Sequence, residues 1–189
     1  MKTIAITGSF ATGKTFVLQV LKELNYQVFS CDEYVKQLYQ DPKIQNLIIT
    51  KIDEIQEFNL EKLRQVLFAD DISRQKIEAI IHPLVREAIE EFTKLNQQEK
   101  LLFFEVPLLF ETGFEKYFDY SITVYCPENI RIERAMQKKN FNKDLLERIN
   151  KIQLPQQEKI NKADFTIDSN CGGQELRFSL QQIIDKLLN

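Results

Sequence analysis

The sequence predicts an α/β protein with a three-layer fold, in which a five-stranded parallel sheet lies between helices and carries a helical insertion and a lid. Three observations predict it. The β-branched run Thr3 to Thr7 (TIAIT) leads straight into a glycine loop and then into a segment with helical spacing. The most apolar run of the chain, Leu101 to Val106 (LLFFEV), is closed by Pro107 and has the continuous hydrophobicity of a central parallel strand. Strand-like runs then alternate with helical ones, and such crossovers imply a parallel sheet covered on both faces.

From Lys14 to Leu24, after the first strand, Val17, Val20, Leu21 and Leu24 fall at offsets of three, four and seven, one face of a helix. Asn25 offers the stop, and Tyr26 to Ser30 (YQVFS) reads as the second strand. Between Asp32 and Lys100 there is no strong strand. Leu60, Leu63, Leu67 and Phe68, then Ile77, Ile80 and Ile81, carry helical spacing, so this block reads as a helical insertion that shapes a substrate site. Ser121 to Cys126 (SITVYC) is the fourth strand and Phe165 to Asp168 a short last one. Leu176, Leu180, Ile183, Ile184 and Leu187 mark a final helix. We expect one domain over 1–189, with a core of 1–32, 101–126 and 163–189, an acceptor region at 33–100 and a lid at 127–162. Ligands of open parallel sheets gather at the carboxyl ends of the strands, where Gly8, Asp32, Glu105 and Pro127 all fall.

With 25 basic and 28 acidic residues the net charge is -3, so nothing draws the chain generally to nucleic acid or an anionic membrane. An anionic ligand must be held by a local site. Apolar residues at 43% and charged residues at 28% are ordinary for a globular protein. No apolar stretch reaches the roughly 18 residues that suggest a membrane span. The first strand begins directly after Met1 and Lys2, leaving no space for a signal peptide, so a cytoplasmic location is expected. Cys31, Cys126 and Cys171 are odd in number and widely spaced, with no CxxC pair and only His82 as a histidine. They read as reduced packing thiols rather than a zinc site or a disulfide framework.

Gly8-Ser9-Phe10-Ala11-Thr12-Gly13-Lys14-Thr15 fits GxxxxGK[ST] at every fixed position, directly after a strand and opening a helix. Glycines let the backbone curl so that successive N–H groups point inward, and the helix N-terminus adds partial positive charge where phosphates lie. Lys14 reaches the β- and γ-phosphate oxygens as a point charge, and the Thr15 hydroxyl suits a magnesium ion bridging them. ATP and Mg2+ are therefore the expected cofactors. A guanine-reading switch is not supported, although Asn161-Lys162-Ala163-Asp164 matches NKxD. Gln156 to Ile160 before it is too polar for a core strand, and no glycine lies three residues after an aspartate to form DxxG.

A kinase of small molecules also needs an acceptor pocket, a group that orients the acceptor hydroxyl, and cations that cover the phosphates. Asp32 follows the second strand, His82-Pro83-Leu84 lies in the helical insertion, and Arg131, Arg134, Lys138 and Lys139 lie beyond the fourth strand. The residues alone leave their roles open. Asp32 suits a helix cap as well as a base, His82 with Pro83 suits a helix entry, and Arg134 suits a solvated helix face as well as a phosphate contact. Glu105 ends the most apolar strand, where a carboxylate needs a cation or water as partner, and a role behind the magnesium is expected for it.

Further strings fall in a fixed order: Leu67-Phe68-Ala69-Asp70, then Ile80-Ile81-His82-Pro83-Leu84-Val85, then Val106-Pro107-Leu108-Leu109-Phe110-Glu111. Cys126-Pro127-Glu128 follows, with Arg134 seven residues after the proline, and Gln153, Lys159, Ala163-Asp164 and Ile167-Asp168 complete the set. Order and spacing around the phosphate loop resemble the dephospho-CoA kinase family over the whole chain. The resemblance implies a P-loop kinase fold and ATP-dependent phosphorylation of the ribose 3′-hydroxyl of dephospho-CoA, giving coenzyme A and ADP, the last step of coenzyme A biosynthesis. It implies Asp32 as the base that orients the acceptor, Lys14 and Arg134 as cations that offset phosphoryl charge, and His82, Pro83 and Leu108 at the acceptor. Glu111, Leu109 and Phe110 are expected in the same acceptor wall. The partners it implies are ATP and dephospho-CoA, with a monomer expected; a related kinase for another small alcohol or nucleoside monophosphate, or a non-catalytic nucleotide switch, are the alternatives.

This sequence departs from the family pattern in three places. Ser30 stands where the first aspartate of Asp-Ala-Asp is usual, so Asp32 alone inherits that acidic role. Leu60 stands where an acceptor-side arginine is common, and Lys138 where a second lid arginine is common; lysine lacks the bidentate fork of arginine.

Overall fold

The structure is a computed structural model that describes residues 1–138 and 143–189, except for the side chains of Phe68 and Lys143. It forms two compact units, Met1–Ser30 with Asn96–Asn189, and Cys31–Leu95. The strands are β1 (Lys2–Thr7), β2 (Gln27–Ser30), β3 (Leu101–Glu105), β4 (Tyr120–Tyr125) and β5 (Phe165–Asp168). Helix α1 (Lys14–Glu23) belongs to the first unit; α2 (Cys31–Leu38), α3 (Pro42–Lys51), α4 (Leu60–Ala69) and α5 (Asp71–Leu95) form the second. Helices α6 (Glu128–Met136), α7 (Lys143–Ile152), α8 (Gln156–Lys162) and α9 (Gly173–Leu188) return to the first.

The five strands form one sheet in the order β2-β3-β1-β4-β5, and every neighbouring pair is parallel. The continuous hydrophobicity of β3 follows from its place between β1 and β2, where all five residues are buried. Ile4 and Ile6 of β1, Phe103 of β3 and Ile122 and Val124 of β4 pack with Val17 and Leu21 of α1 and Leu180 and Ile184 of α9. Alternation along the strands sends Thr7 and Thr123, which are in register, to the opposite face. That face is polar where α8 covers β4.

Asn25 ends α1 as expected, and the mechanism is visible. It adopts φ 63°, its N–H donates to the Lys22 carbonyl at 3.0 Å, and the Tyr26 N–H donates to the Leu21 carbonyl at 3.0 Å. These paired bonds close the helix around a left-handed residue, a conformation asparagine tolerates better than most.

In the second unit, α2, α3 and α4 all pack on α5. The Asn59 side chain accepts from the Glu61 and Lys62 N–H groups and starts α4. Here one expectation fails. Pro83 opens no helix; it lies inside the 25-residue α5. The proline has no N–H for the carbonyl one turn earlier, yet Ile77, Ile81, Val85, Ala88 and Ile89 bury one continuous face and carry the helix through it.

Candidate active site

The phosphate loop runs from the end of the central strand β1 into α1. Gly8 has φ 151°, and a side chain there would run into the Val124 carbonyl, so only glycine fits so close to β4. Gly13 has φ 90°, and a Cβ on it would stand 3.0 Å from Ser169 Oγ and 3.4 Å from Arg134 Nη1. Ala11 also takes a left-handed conformation, with φ 64°. Within the loop, Lys14 Nζ donates to the Gly8 carbonyl at 2.8 Å and the Ser9 carbonyl at 3.2 Å, and Thr12 Oγ1 donates to the Ser9 carbonyl at 2.9 Å. Ser9 Oγ is buried with no hydrogen-bond partner among the described residues. Thr15 is exposed at the second position of α1. A loop turned by Gly8 and Gly13, a lysine ammonium drawn over it and a helix N-terminus together fit a phosphate chain.

Of the cations beyond β4, the structure separates two roles. Arg134 on α6 donates through Nη1 to Ser169 Oγ and through Nη2 to the Ser169 carbonyl, both at 2.9 Å, which holds its guanidinium beside Gly13. Ser169 Oγ in turn donates to the Thr12 carbonyl at 2.6 Å. Arg131 is instead buried and grips Glu128 with two bonds, at 2.8 Å and 2.6 Å, while Nη1 reaches the Phe10 carbonyl at 3.3 Å. This pairing pushes the Glu128 carboxyl down and the Arg131 guanidinium up from their ordinary pKa values. Lys138 Nζ lies 5.0 Å from the centre of the Phe10 ring, and the Phe10 N–H donates to Gln153 Oε1 at 2.9 Å. Lys139, and the stretch from Lys138 to Lys143 apart from its ends, lie outside the described residues.

Two carboxylates meet partners other than those expected. Glu105, expected opposite a cation or water, accepts a hydrogen bond from Ser30 Oγ across the β2–β3 pair, where the two residues are in register. The serine that replaces an aspartate thus satisfies a carboxylate rather than repelling it. Glu111, expected on an acceptor wall, takes the Leu154 N–H at 2.8 Å and pairs with Lys159 at 2.8 Å. Of its neighbours, Leu109 is fully buried, whereas Leu108 and Phe110 are partly exposed. The NKxD look-alike also finds an explanation: Asn161 and Lys162 end α8, and Asp164 accepts from the Ser121 N–H and Oγ, tying the start of β5 to β4.

Asp32 and His82 belong to the second unit. Asp32 is the second residue of α2, exposed, and pairs with Lys36 at 2.8 Å one turn along the helix. His82 is half-buried on α5 beside Pro83; burial pushes its imidazole below the usual value, with Arg86 acting in the same direction and Glu78 opposing. It is therefore neutral at pH 7. Tyr39 nearby in sequence is pushed up to about 12, first by burial and then by Glu78 and Asp32. Leu60 is exposed. The three cysteines, all among the described residues, form no disulfide.

Sequence reasoning missed Ser169, one residue beyond β5 and the link between Thr12 and Arg134. Its signal was positional, since polar residues at strand carboxyl ends are where open sheets build sites.

A glycine loop between the central strand of a parallel sheet and its helix, bordered by Lys14 and Arg134, defines a P-loop kinase. The described residues contain no helix long and apolar enough to cross a membrane, and no group of three or more His, Cys, Asp or Glu side chains that could hold a metal ion. The dephospho-CoA kinase family model matches residues 2–175. A dephospho-CoA kinase of Rickettsia bellii is 41% identical over 187 residues, covering 99% of this chain and 98% of the relative. Among solved structures, TT1252 from Thermus thermophilus superposes with a TM-score of 0.86 at 26% identity, over 100% of this chain and 98% of that one. A dephospho-CoA kinase from Campylobacter jejuni shares the fold, with a TM-score of 0.61 at 20% identity over 98% and 97%. The chain belongs to the dephospho-CoA kinase family.

Proposed function

We propose that this protein transfers the γ-phosphoryl group of ATP to the ribose 3′-hydroxyl of dephospho-CoA, giving coenzyme A and ADP, with Asp32 taking the acceptor proton. The observation that carries the reading is a full-length relationship to dephospho-CoA kinases, in a chain whose Lys14 and Arg134 both border the phosphate loop. Phosphoryl transfer asks the protein mainly for positioning and for charge stabilisation.

The N–H groups of residues 8–15 cradle the β- and γ-phosphates. Lys14 leaves the Gly8 and Ser9 carbonyls for phosphate oxygens, a short move on a flexible stem. Arg134, fixed from behind by both bonds to Ser169, offsets charge as the bond to ADP breaks. Thr15 would hold a magnesium ion through its hydroxyl, and the ion would neutralise part of the phosphate charge. Asp32 pairs with Lys36 in an exposed ion pair of a kind worth little, so an acceptor hydroxyl displaces it at small cost. Neutral His82, with Pro83 and Leu108, serves the acceptor as a hydrogen-bonding and apolar surface rather than as a charge. The enzyme acts as a monomer in the cytoplasm.

The test is acceptor-dependent ADP release. Dephospho-CoA should stimulate it, and the product should carry phosphate on the ribose 3′ oxygen. Stimulation by adenosine or a nucleoside monophosphate, with none by dephospho-CoA, would overturn the acceptor assignment.

A further inference from the structure

The first unit contains a buried ion pair that the phosphoryl-transfer scheme does not use. Lys159 on α8 is 0% exposed, and the Glu111 side chain is 9% exposed. The ammonium, with three protons, faces four acceptor atoms: Glu111 Oε1 at 2.8 Å and Oε2 at 3.1 Å, the Pro107 carbonyl at 2.8 Å and Thr7 Oγ1 at 3.5 Å. A lysine head group out of water needs such a full set, because a buried charge without partners is expensive.

What these partners belong to is the telling point. Thr7 is the last residue of β1 and immediately precedes Gly8, so it sets where the chain enters the phosphate loop. Its hydroxyl also donates to the Pro107 carbonyl at 3.2 Å. Thr123, in register with Thr7, donates through Oγ1 to the backbone carbonyl of Lys159 at 3.0 Å. Glu111 takes the Leu154 N–H at 2.8 Å, and the preceding residue, Gln153, takes the N–H of Phe10 inside the loop at 2.9 Å. One lysine thus ties the entrance of the phosphate loop to the segment 153–159, which grips the loop a second time at Phe10.

We propose that Lys159, with Glu111, is a positioning residue for the nucleotide: the buried pair fixes the phosphate loop in its binding shape. In this reading the pair acts through the backbone it holds, not by contact with a substrate. Replacing a buried ion pair by apolar side chains is often neutral or stabilising, so stability alone gives no reason for a charge here, whereas directional bonds to Thr7, Pro107 and Leu154 do. The inference rests on the reading of residues 8–15 as the triphosphate site. It predicts a defect on the nucleotide side, separable from stability.

The experiment compares wild type with Lys159→Met, Glu111→Gln and the double variant Lys159→Met/Glu111→Leu. For each it measures thermal unfolding, affinity for a non-hydrolysable ATP analogue by calorimetry, and the kinetic constants for both substrates. Lys159→Met strands the Glu111 charge and should lower the unfolding temperature; the double variant, with no charge left to bury, should recover it. Analogue affinity and kcat/KM for ATP should both fall at least tenfold in Lys159→Met and stay low in the double variant, while KM for the acceptor moves less than threefold. If Lys159→Met does not fold, the double variant and Glu111→Gln carry the comparison. Normal analogue affinity in a folded double variant would overturn the proposal, leaving the pair a structural feature only. Equal losses for both substrates would overturn it too. Because analogue affinity is read without the acceptor, failure of dephospho-CoA as substrate would leave this test intact.

Discussion

Replacing Ser169 by alanine should damage turnover through Arg134, a residue it supports but does not resemble. Ser169 is 3% exposed, and its hydroxyl donates to the Thr12 carbonyl while accepting from Arg134 Nη1. Alanine leaves the carbonyl of fully buried Thr12 without that donor, at a cost of about 1–3 kcal/mol. For a chain of this size the unfolding temperature should fall by roughly 2–4 °C for each kcal/mol. Arg134 keeps its second anchor, the Ser169 carbonyl at 2.9 Å, so its guanidinium is loosened rather than lost. Losing about half of a charge-assisted pair should cost ~1–2 kcal/mol in transition-state binding, a five- to thirtyfold fall in kcat/KM. The assay is steady-state ADP release well below the unfolding midpoint, in a double-mutant cycle with Arg134→Ala. In the Arg134→Ala background, Ser169→Ala should add less than about twofold, because the group it positions is gone. Equal losses in both backgrounds, or undiminished kcat/KM in folded Ser169→Ala, would refute the reasoning.

Lys14→Ala should keep the fold and lower turnover by roughly a thousandfold or more, since a contact to the transferring phosphoryl is removed; near-normal turnover in a protein folded by circular dichroism would count against the phosphate-loop mechanism. Asp32→Asn should cut kcat sharply with little change in acceptor KM, whereas raised KM with preserved kcat would make Asp32 a binding residue. Asn25→Ala should destabilise by about 1 kcal/mol in urea titrations and Asn25→Gly by no more than a few tenths, because only the left-handed cap differs between them. His82 has a folded pKa below its unfolded value of about 6.5, so its contribution to stability is fully present above that value and is lost as pH falls through the folded one. Melting temperatures between pH 5 and 8 should show this loss in wild type and lack it in His82→Asn.

The sheet was legible because its signals are local. Continuous hydrophobicity in β3, β-branched residues in β1 and an asparagine after α1 each act within a few residues, and strand boundaries fall within one residue of the expected ones. Pro83 shows the limit of local reading. A proline is a sound marker of a helix start, but five buried aliphatic positions along α5 outweigh one missing backbone bond. The glycine pattern of the loop between β1 and α1 was readable too, since it lies in consecutive residues, whereas the distant partnerships with Gln153, Ser169 and Lys159 were not.

Side-chain partnerships were not readable, and the threonines show why. Thr7 and Thr123 are β-branched, so in sequence they register as strand formers and their hydroxyls go unnoticed. Only the register of β1 with β4 puts them side by side, and α8 above them, together with the Pro107 carbonyl, gives the hydroxyls work. Helix α8 itself has one aliphatic residue, Ile160, in seven, which gives periodicity almost nothing to detect. It docks by polar means: Lys159 reaches down to Thr7, Pro107 and Glu111, and Gln156 exchanges bonds of 3.2 Å and 2.9 Å with the backbone of Cys126. A helix held through directed bonds rather than an apolar face sits where those bonds put it, with little freedom to slide or rotate on the sheet. That tolerance is what a segment next to a phosphate cradle requires, and it follows from residues whose sequence neighbourhood reads as solvent-exposed polarity.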